Sequence, residues 1–129
     1  MKKIVLLCLI VIQLFSEEAF WYDSYTEAIE ASQEEHKPML VFVSQFGCKA
    51  CAYMEDEVLF KEDIATYLDT NYIAVHIDMR EKTTPKRFKT GMTPTFFFLD
   101  EDEKELLDMI VGATDHDEFL AELKEALEK

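Results

Sequence analysis

Two hydrophobic periods divide the chain after its first apolar run. Tyr25, Ala28, Ile29 and Ser32 share one face of a 3.6-residue period. Ser24 with Glu27 three residues later makes a capping-box pattern, so Ser24 to Lys37 is predicted helical, closed by His36, Lys37 and Pro38. "MLVFV", Met39 to Val43, is a continuous apolar run of the kind a parallel strand buried on both faces shows. A second helix opens at "CKAC" with Cys51, Met54 and Val58 facing inward, and "KEDIATYLD" continues helical after a break near Phe60. In "YIAVHID" the residues Ile73, Val75 and Ile77 alternate on one face, which predicts a strand. Pro85 suits the first residue of a short helix. "TPTFFFLD" reads as another apolar strand, and "DEDEKE" turns the chain into "LLDMIVG", its expected antiparallel partner. Asp115 with Glu118 caps a final helix whose apolar face is Phe119, Leu120, Leu123 and Leu127. "AFWYD" leaves room for a short first strand. Strands interleaved with helices point to an α/β layered sheet ending in a hairpin.

At 129 residues and 49% hydrophobic composition the chain suits one domain with a real core. Residues 1–16 stand apart from it. "MKK" supplies a basic start and "IVLLCLIVIQLF" an apolar run ending at the small Ser16, the pattern of a secretory signal. The run is shorter than the roughly 20 apolar residues an ordinary membrane span needs, although an uncleaved N-terminal anchor stays open. The expected division is therefore a signal peptide at 1–16 and a domain at 17–129. A net charge of −14 sets the chain against nucleic acid or an anionic membrane surface as a partner.

Of three cysteines, Cys8 lies in the apolar leader, which leaves Cys48 and Cys51 to an exported, disulfide-permissive chain. A bond between such near neighbours closes a very small loop and restrains the unfolded chain least. Chemistry explains the pair better than a structural framework does. In an open α/β sheet, loops beyond the carboxyl ends of the strands carry function, and Cys48 falls in such a loop, at the start of a helix. The unpaired amides and dipole there favour a thiolate at Cys48, with the charge of Lys49 beside it, while Cys51 lies nearly one turn on and deeper. That spacing makes Cys48 the attacking sulfur and Cys51 the resolving one. Zinc would need two further ligands, and His36, His76 and His116 are scattered. Copper(I) held by the two thiolates near Met54 is a second reading, and a non-catalytic peptide-binding module a third.

"HKPMLVFVSQFGCKACAYMEDEVLF", "YIAVHIDM", "GMTPTFFFLD" and "IVGATDHDEF" resemble the thioredoxin-like superfamily across nearly the whole expected domain. The likeness is greatest to secreted thioredoxin-like proteins and to the C-terminal domain of DsbD, which has a similar C-x-A-C. The resemblance implies a thioredoxin fold, a central mixed β-sheet flanked by helices, and a periplasmic thiol:disulfide oxidoreductase with catalytic Cys48 and Cys51. It implies protein disulfides as substrates, an upstream thiol electron donor that can be membrane-bound, and no bound cofactor. Thr93-Pro94 matches the family's cis-proline loop, which offers backbone groups to a substrate peptide. Glu55 matches a glutamate of the DsbD domain and, with Lys49, is expected to modulate the cysteine pKa values. The departures are as informative. Thioredoxin has Trp before the first cysteine and Gly-Pro between the two, where this chain has Gly47 and Lys49-Ala50. Phe42 stands where thioredoxin has a buried aspartate that helps deprotonate the resolving cysteine. His76 is expected merely to point off a strand face, Phe96 to Phe98 to fill the core, and Trp21 and Tyr22 to fasten the N-terminus. Lys49 and the carboxylates of "YMEDE" pull the thiolate in opposite directions. A reducing role follows, with a potential nearer thioredoxin's roughly −270 mV than DsbA's roughly −120 mV.

Overall fold

The computed structural model describes residues 20–129, so the expected leader at 1–16 lies outside the described residues. Ser24 caps α1 (Tyr25–Glu35), its hydroxyl accepting the Glu27 N–H at 3.3 Å, which satisfies one of the amides every helix start leaves unpaired. α1 stops short of the expected Lys37. His36 takes the left-handed conformation, φ 53° and ψ 45°, and turns its N–H back to the Ser32 carbonyl.

β1 (Met39–Ser44) is buried at every position. After it come α2 (Lys49–Met54) and, without interruption, a π-helical turn (Glu55–Leu59) closed by the Phe60 N–H on the Glu55 carbonyl at 3.0 Å. Apolar spacing reads straight through that widened turn, because Cys51, Met54 and Val58 remain on the buried side. Phe60 ends the turn where a break is expected, and α3 (Glu62–Asn71) follows. After β2 (Ile73–Asp78), Pro85 does not begin a helix as expected but precedes a 3-10 turn (Lys86–Phe88), its ψ of 144° holding it in extended conformation. β3 (Thr95–Leu99), β4 (Glu105–Val111) and α4 (His116–Leu127) complete the order, with the Asp115 carboxylate accepting the Glu118 N–H at 2.9 Å.

The four strands lie in the order β2-β1-β3-β4, with β1 and β2 parallel and the other pairs antiparallel. This is the mixed sheet of the thioredoxin fold. The short strand considered in "AFWYD" reduces to one bridge, in which Tyr22 donates to the Ala74 carbonyl and accepts from the His76 N–H, both at 2.8 Å.

Side chains alternate across a sheet with period two, and each face here has its own core. Leu40, Phe42, Phe96 and Phe98 pack beneath α2, α3 and α4 against Met54, Ile64, Leu68, Phe119 and Leu123. Met39, Val41, Val43, Ile77, Phe97 and Leu99 pack on the other face with Ala28 of α1 and Phe88. Burying one such large side chain contributes about 1.5–3 kcal/mol. The sheet's interior is thus built from the apolar runs of β1 and β3. β1 ends at Ser44 between β2 and β3, so the loop carrying the cysteines leaves from the middle of the sheet's end.

Candidate active site

The loop Gln45–Cys48 makes a tight turn in which the Cys48 N–H bonds to the Gln45 carbonyl at 3.2 Å and Gly47 adopts φ +80°. Only glycine takes that conformation without cost, which gives a reason for the residue that stands where thioredoxin has Trp. The turn delivers Cys48 as the N-cap of α2, with φ −77° and ψ 107°. Cys48 is half-buried and Cys51 is 4% exposed. The two are disulfide-bonded, with their Cα atoms 5.3 Å apart. The Cys51 N–H points at the Cys48 sulfur at 3.1 Å, a directed donor that would favour the thiolate once the bond is reduced.

A groove of about 470 Å³ opens beside the pair, and Ser44, Phe46, Cys48, Lys49, Glu55 and His76 are among the residues on its wall. Lys49 is exposed there, while Glu55 sits part-buried one turn beyond Cys51. Phe46 projects almost wholly into solvent at 91% exposure. The Thr93-Pro94 peptide bond is cis. Val43 pairs with Thr95 in the antiparallel register, so Pro94 falls next to the end of β1, at the same end of the sheet as the cysteine loop. Pro94 is buried, its carbonyl accepts the Gly112 N–H at 2.8 Å, and the Thr95 hydroxyl donates to the Met92 carbonyl at 2.7 Å.

The residue that sequence reasoning undervalued is His76. It does not simply leave the strand face. Its ring stacks on Phe42 with centroids 4.5 Å apart and lies edge-on to Trp21 at 6.4 Å. Its Nε2 is 2.5 Å from the Ser44 hydroxyl and 3.8 Å from a Glu55 carboxylate oxygen. Burial holds this imidazole below its ordinary pKa, against the opposite pull of Asp78. A signal for this was present: Ile73, Val75 and Ile77 share one face, so Ala74 and His76 must share the other, the face of the cysteines. Phe42 fills the acid's expected place, 1% exposed and paired in register with His76.

Other residues with candidate roles lie elsewhere. Met54 is fully buried and its sulfur accepts the Thr114 N–H at 3.4 Å, so it does not line the cysteine groove. His36 pairs with Glu101 at 2.9 Å, and His116 bridges Asp63 and Asp117 at 2.8 and 2.9 Å. Trp21 and Tyr22 do fasten the N-terminal segment, one by its ring contacts and the other by the bridge to β2.

A family model described as a thioredoxin-like domain matches residues 25–127, and the chain belongs to that family. An uncharacterized protein of Archaeoglobus fulgidus is 34% identical over 84 residues, covering 62% of this chain and 65% of that protein. The chain therefore spans slightly less than two thirds of that relative's length. Disulfide bond reductase DsbH of Chlamydia pneumoniae is 24% identical over 119 residues, with 82% of this chain and 72% of that one covered. Among solved structures, the oxidised C-terminal domain of DsbD from Neisseria meningitidis superposes with a TM-score of 0.67 at 17% identity, covering 82% of this chain and 98% of that domain. The resemblance to the thioredoxin-like superfamily, with the DsbD domain among its structural neighbours, is thereby borne out, as is the fold.

Proposed function

We propose that the protein is an exported thiol:disulfide oxidoreductase that reduces disulfides of protein substrates through Cys48 and Cys51. The observation that carries this reading is the asymmetry of the pair: Cys48 caps a helix at the mouth of a groove, while Cys51 sits 4% exposed behind it, at bonding distance. The Cys48 thiolate attacks one sulfur of a substrate disulfide, forming a mixed disulfide and expelling one substrate thiolate. Cys51 then loses its proton and attacks the Cys48 sulfur, and the second substrate thiolate leaves and takes up a proton. Two electrons pass to the substrate, and the Cys48–Cys51 disulfide remains. An upstream thiol donor returns the pair to the dithiol. The chemistry needs two sulfurs and a proton acceptor.

Thr93 and Pro94, at the same end of the sheet, are assigned to substrate backbone docking, and Lys49 and Glu55 to setting the cysteine pKa values. The reducing direction is supported by the name of the Chlamydia relative and by the carboxylate of Glu55 one turn from Cys51, which opposes an extreme stabilisation of the thiolate. Export, to the bacterial periplasm, rests on the basic start and apolar run of residues 1–16.

Equilibration with glutathione buffers, followed by quantifying the Cys48–Cys51 disulfide, tests the direction. A potential near roughly −270 mV is expected, and one above about −150 mV would overturn it. Cys51→Ser should trap substrate proteins as mixed disulfides on Cys48. Absence of any trapped protein would count against a protein substrate.

A further inference from the structure

The acid expected at Phe42 to receive the resolving cysteine's proton is missing, and a different set of polar groups occupies the same face. Glu55 follows Cys51 by one helical turn and lines the same groove. Behind it, the His76 Nε2 is 3.8 Å from the Glu55 carboxylate and 2.5 Å from the Ser44 hydroxyl. The imidazole stacks on Phe42 and meets the Trp21 ring edge-on.

We propose that His76 is a positioning residue for the resolving step, acting through Glu55 as the second half of a proton-accepting pair that replaces the absent buried acid. The inference rests on the oxidoreductase reading above. In the mixed disulfide, the Cys51 thiol gives its proton to the Glu55 carboxylate, and Glu55 shares it with the His76 Nε2. The Cys51 thiolate attacks the Cys48 sulfur, the bond from Cys48 to the substrate breaks, and the leaving thiolate recovers the proton from the pair. No electron or proton is left over.

Ser44 makes the change of protonation inexpensive. A hydroxyl both donates and accepts, so it can donate to the neutral Nε2 and accept from the protonated one without moving away. The groups facing His76 come from every neighbouring element: Glu55 from the turn after α2, Ser44 from the end of β1, Asp78 from β2 itself, and from the N-terminal segment the Trp21 ring and Asp23, which lines a second cavity together with Glu55 and His76. Lys49 is the cation on the wall of the same groove, and Arg80 follows Asp78 by two residues. Burial keeps the imidazole neutral, hence able to accept, at neutral pH.

A chromogenic aromatic disulfide, 5,5′-dithiobis(2-nitrobenzoate), separates the steps when mixed in stopped flow with the reduced full chain. The first thionitrobenzoate released reports attack by Cys48, and the second reports resolution by Cys51. His76→Gln is expected to leave the first phase unchanged and to slow the second roughly tenfold, less than the about 100-fold or more that a positioned base contributes by direct transfer. It should also move the acid limb of the second phase's pH profile. In a Glu55→Gln background the His76 change should add nothing, since the pathway through Glu55 is already gone. Ser44→Ala, a milder variant, should shift the same acid limb while leaving the first phase alone. An unchanged second-phase pH profile in both His76→Gln and Ser44→Ala overturns the inference, as does equal slowing of both phases. A wild-type protein that releases no thionitrobenzoate at all would instead sink the oxidoreductase reading itself.

Discussion

The two faces of the sheet are built from the same strands, yet they are different materials. On the α1 face, Met39, Val41, Val43, Ile73, Val75, Ile77, Phe97 and Leu99 form a layer with no titratable side chain in its buried cluster. On the other face the alternate positions of those strands supply Leu40, Phe42, Phe96 and Phe98, and the layer also holds Cys51 and Tyr72, with Cys48 and Trp21 packed against it. His76 stacks there on Phe42. The Tyr72 hydroxyl is satisfied by the Leu123 carbonyl at 2.5 Å, and burial raises its pKa well above the ordinary value. The α1 face supplies cohesion, with the phenols of Tyr22 and Tyr25 packed at its margin, and the other combines cohesion with the cysteines and an imidazole held in fixed orientation. A residue's parity along β1 or β2 thus decides whether a substitution is felt as stability or as chemistry.

The sharpest way to separate the faces is to remove the attacking sulfur. Cys48→Ser should abolish disulfide exchange while urea unfolding of the reduced protein shifts little, because the side chain is half-buried at a helix cap and serine caps well. Residual exchange above that of the buffer would break the assignment. Truncations in the cores come next. Phe97→Ala and Phe42→Ala should each cost about 3–5 kcal/mol in chemical denaturation, since both rings are nearly or wholly buried. Only Phe42→Ala should also alter the reactivity of the cysteine pair, by removing the ring on which His76 stacks. If Phe97→Ala changed that reactivity equally, the distinction between the faces would fail.

Helix caps provide a smaller and more even test, because each layer has a side-chain cap outside the cysteine pair. Asp115→Ala removes a carboxylate that accepts the Glu118 N–H at 2.9 Å, and Ser24→Ala a hydroxyl that accepts the Glu27 N–H at 3.3 Å. Each should cost about 1 kcal/mol, the charged and shorter contact the more. Thermal melts of the two variants measure it, and a reversed order would mean that the cap distances do not govern the loss.

How much of this was legible beforehand follows the same division. The apolar runs of β1 and β3, the Ser24 and Asp115 caps and the places of Phe119 and Leu123 on α4 were readable because short-range periodicity and capping chemistry are local; Leu127, expected on the same face, is exposed at the last residue of the helix, and Ala126 is buried instead. The cysteine pair was readable because its spacing and its place after an apolar strand are local too. The π-helical turn at Glu55–Leu59 was not, since one widened turn leaves the apolar spacing intact. Pro85 misled because the same φ suits both a helix start and the extended residue before one. His76 was the main loss. Its meaning depends on Phe42 lying beside it in register and on Ser44 and Glu55 converging from other segments, contacts made by the tertiary fold.

The smallest expected effect contrasts a histidine of the reactive face with one on the surface. His116 bridges Asp63 and Asp117, and hydrogen bonding first to Asp63 and then to Asp117 raises its pKa above the ordinary 6.5. Its bond in turn lowers the pKa of Asp63. His76 moves the other way, below 6.5, because burial disfavours its charge. The two signs give opposite linkages. A histidine raised in the folded state stabilises fully below its unfolded pKa, and that contribution disappears as pH rises through the folded value. A histidine depressed by burial favours folding above its unfolded pKa, and its contribution is lost as pH falls toward the folded value. Imidazole titration by NMR should therefore place His116 above 6.5 and His76 below it. Salt separates the causes as well. Added sodium chloride should draw His116 only a little way back toward its ordinary value, through the Coulombic share of its shift, since its contacts at 2.8 and 2.9 Å lie well inside the screening length of about 10 Å at 0.1 M. His76 should hardly respond, because its shift comes from lost water and not from a distant charge. If salt moved both equally, His76 would be governed by surface charge, and the enclosed character of the reactive face would be disproved.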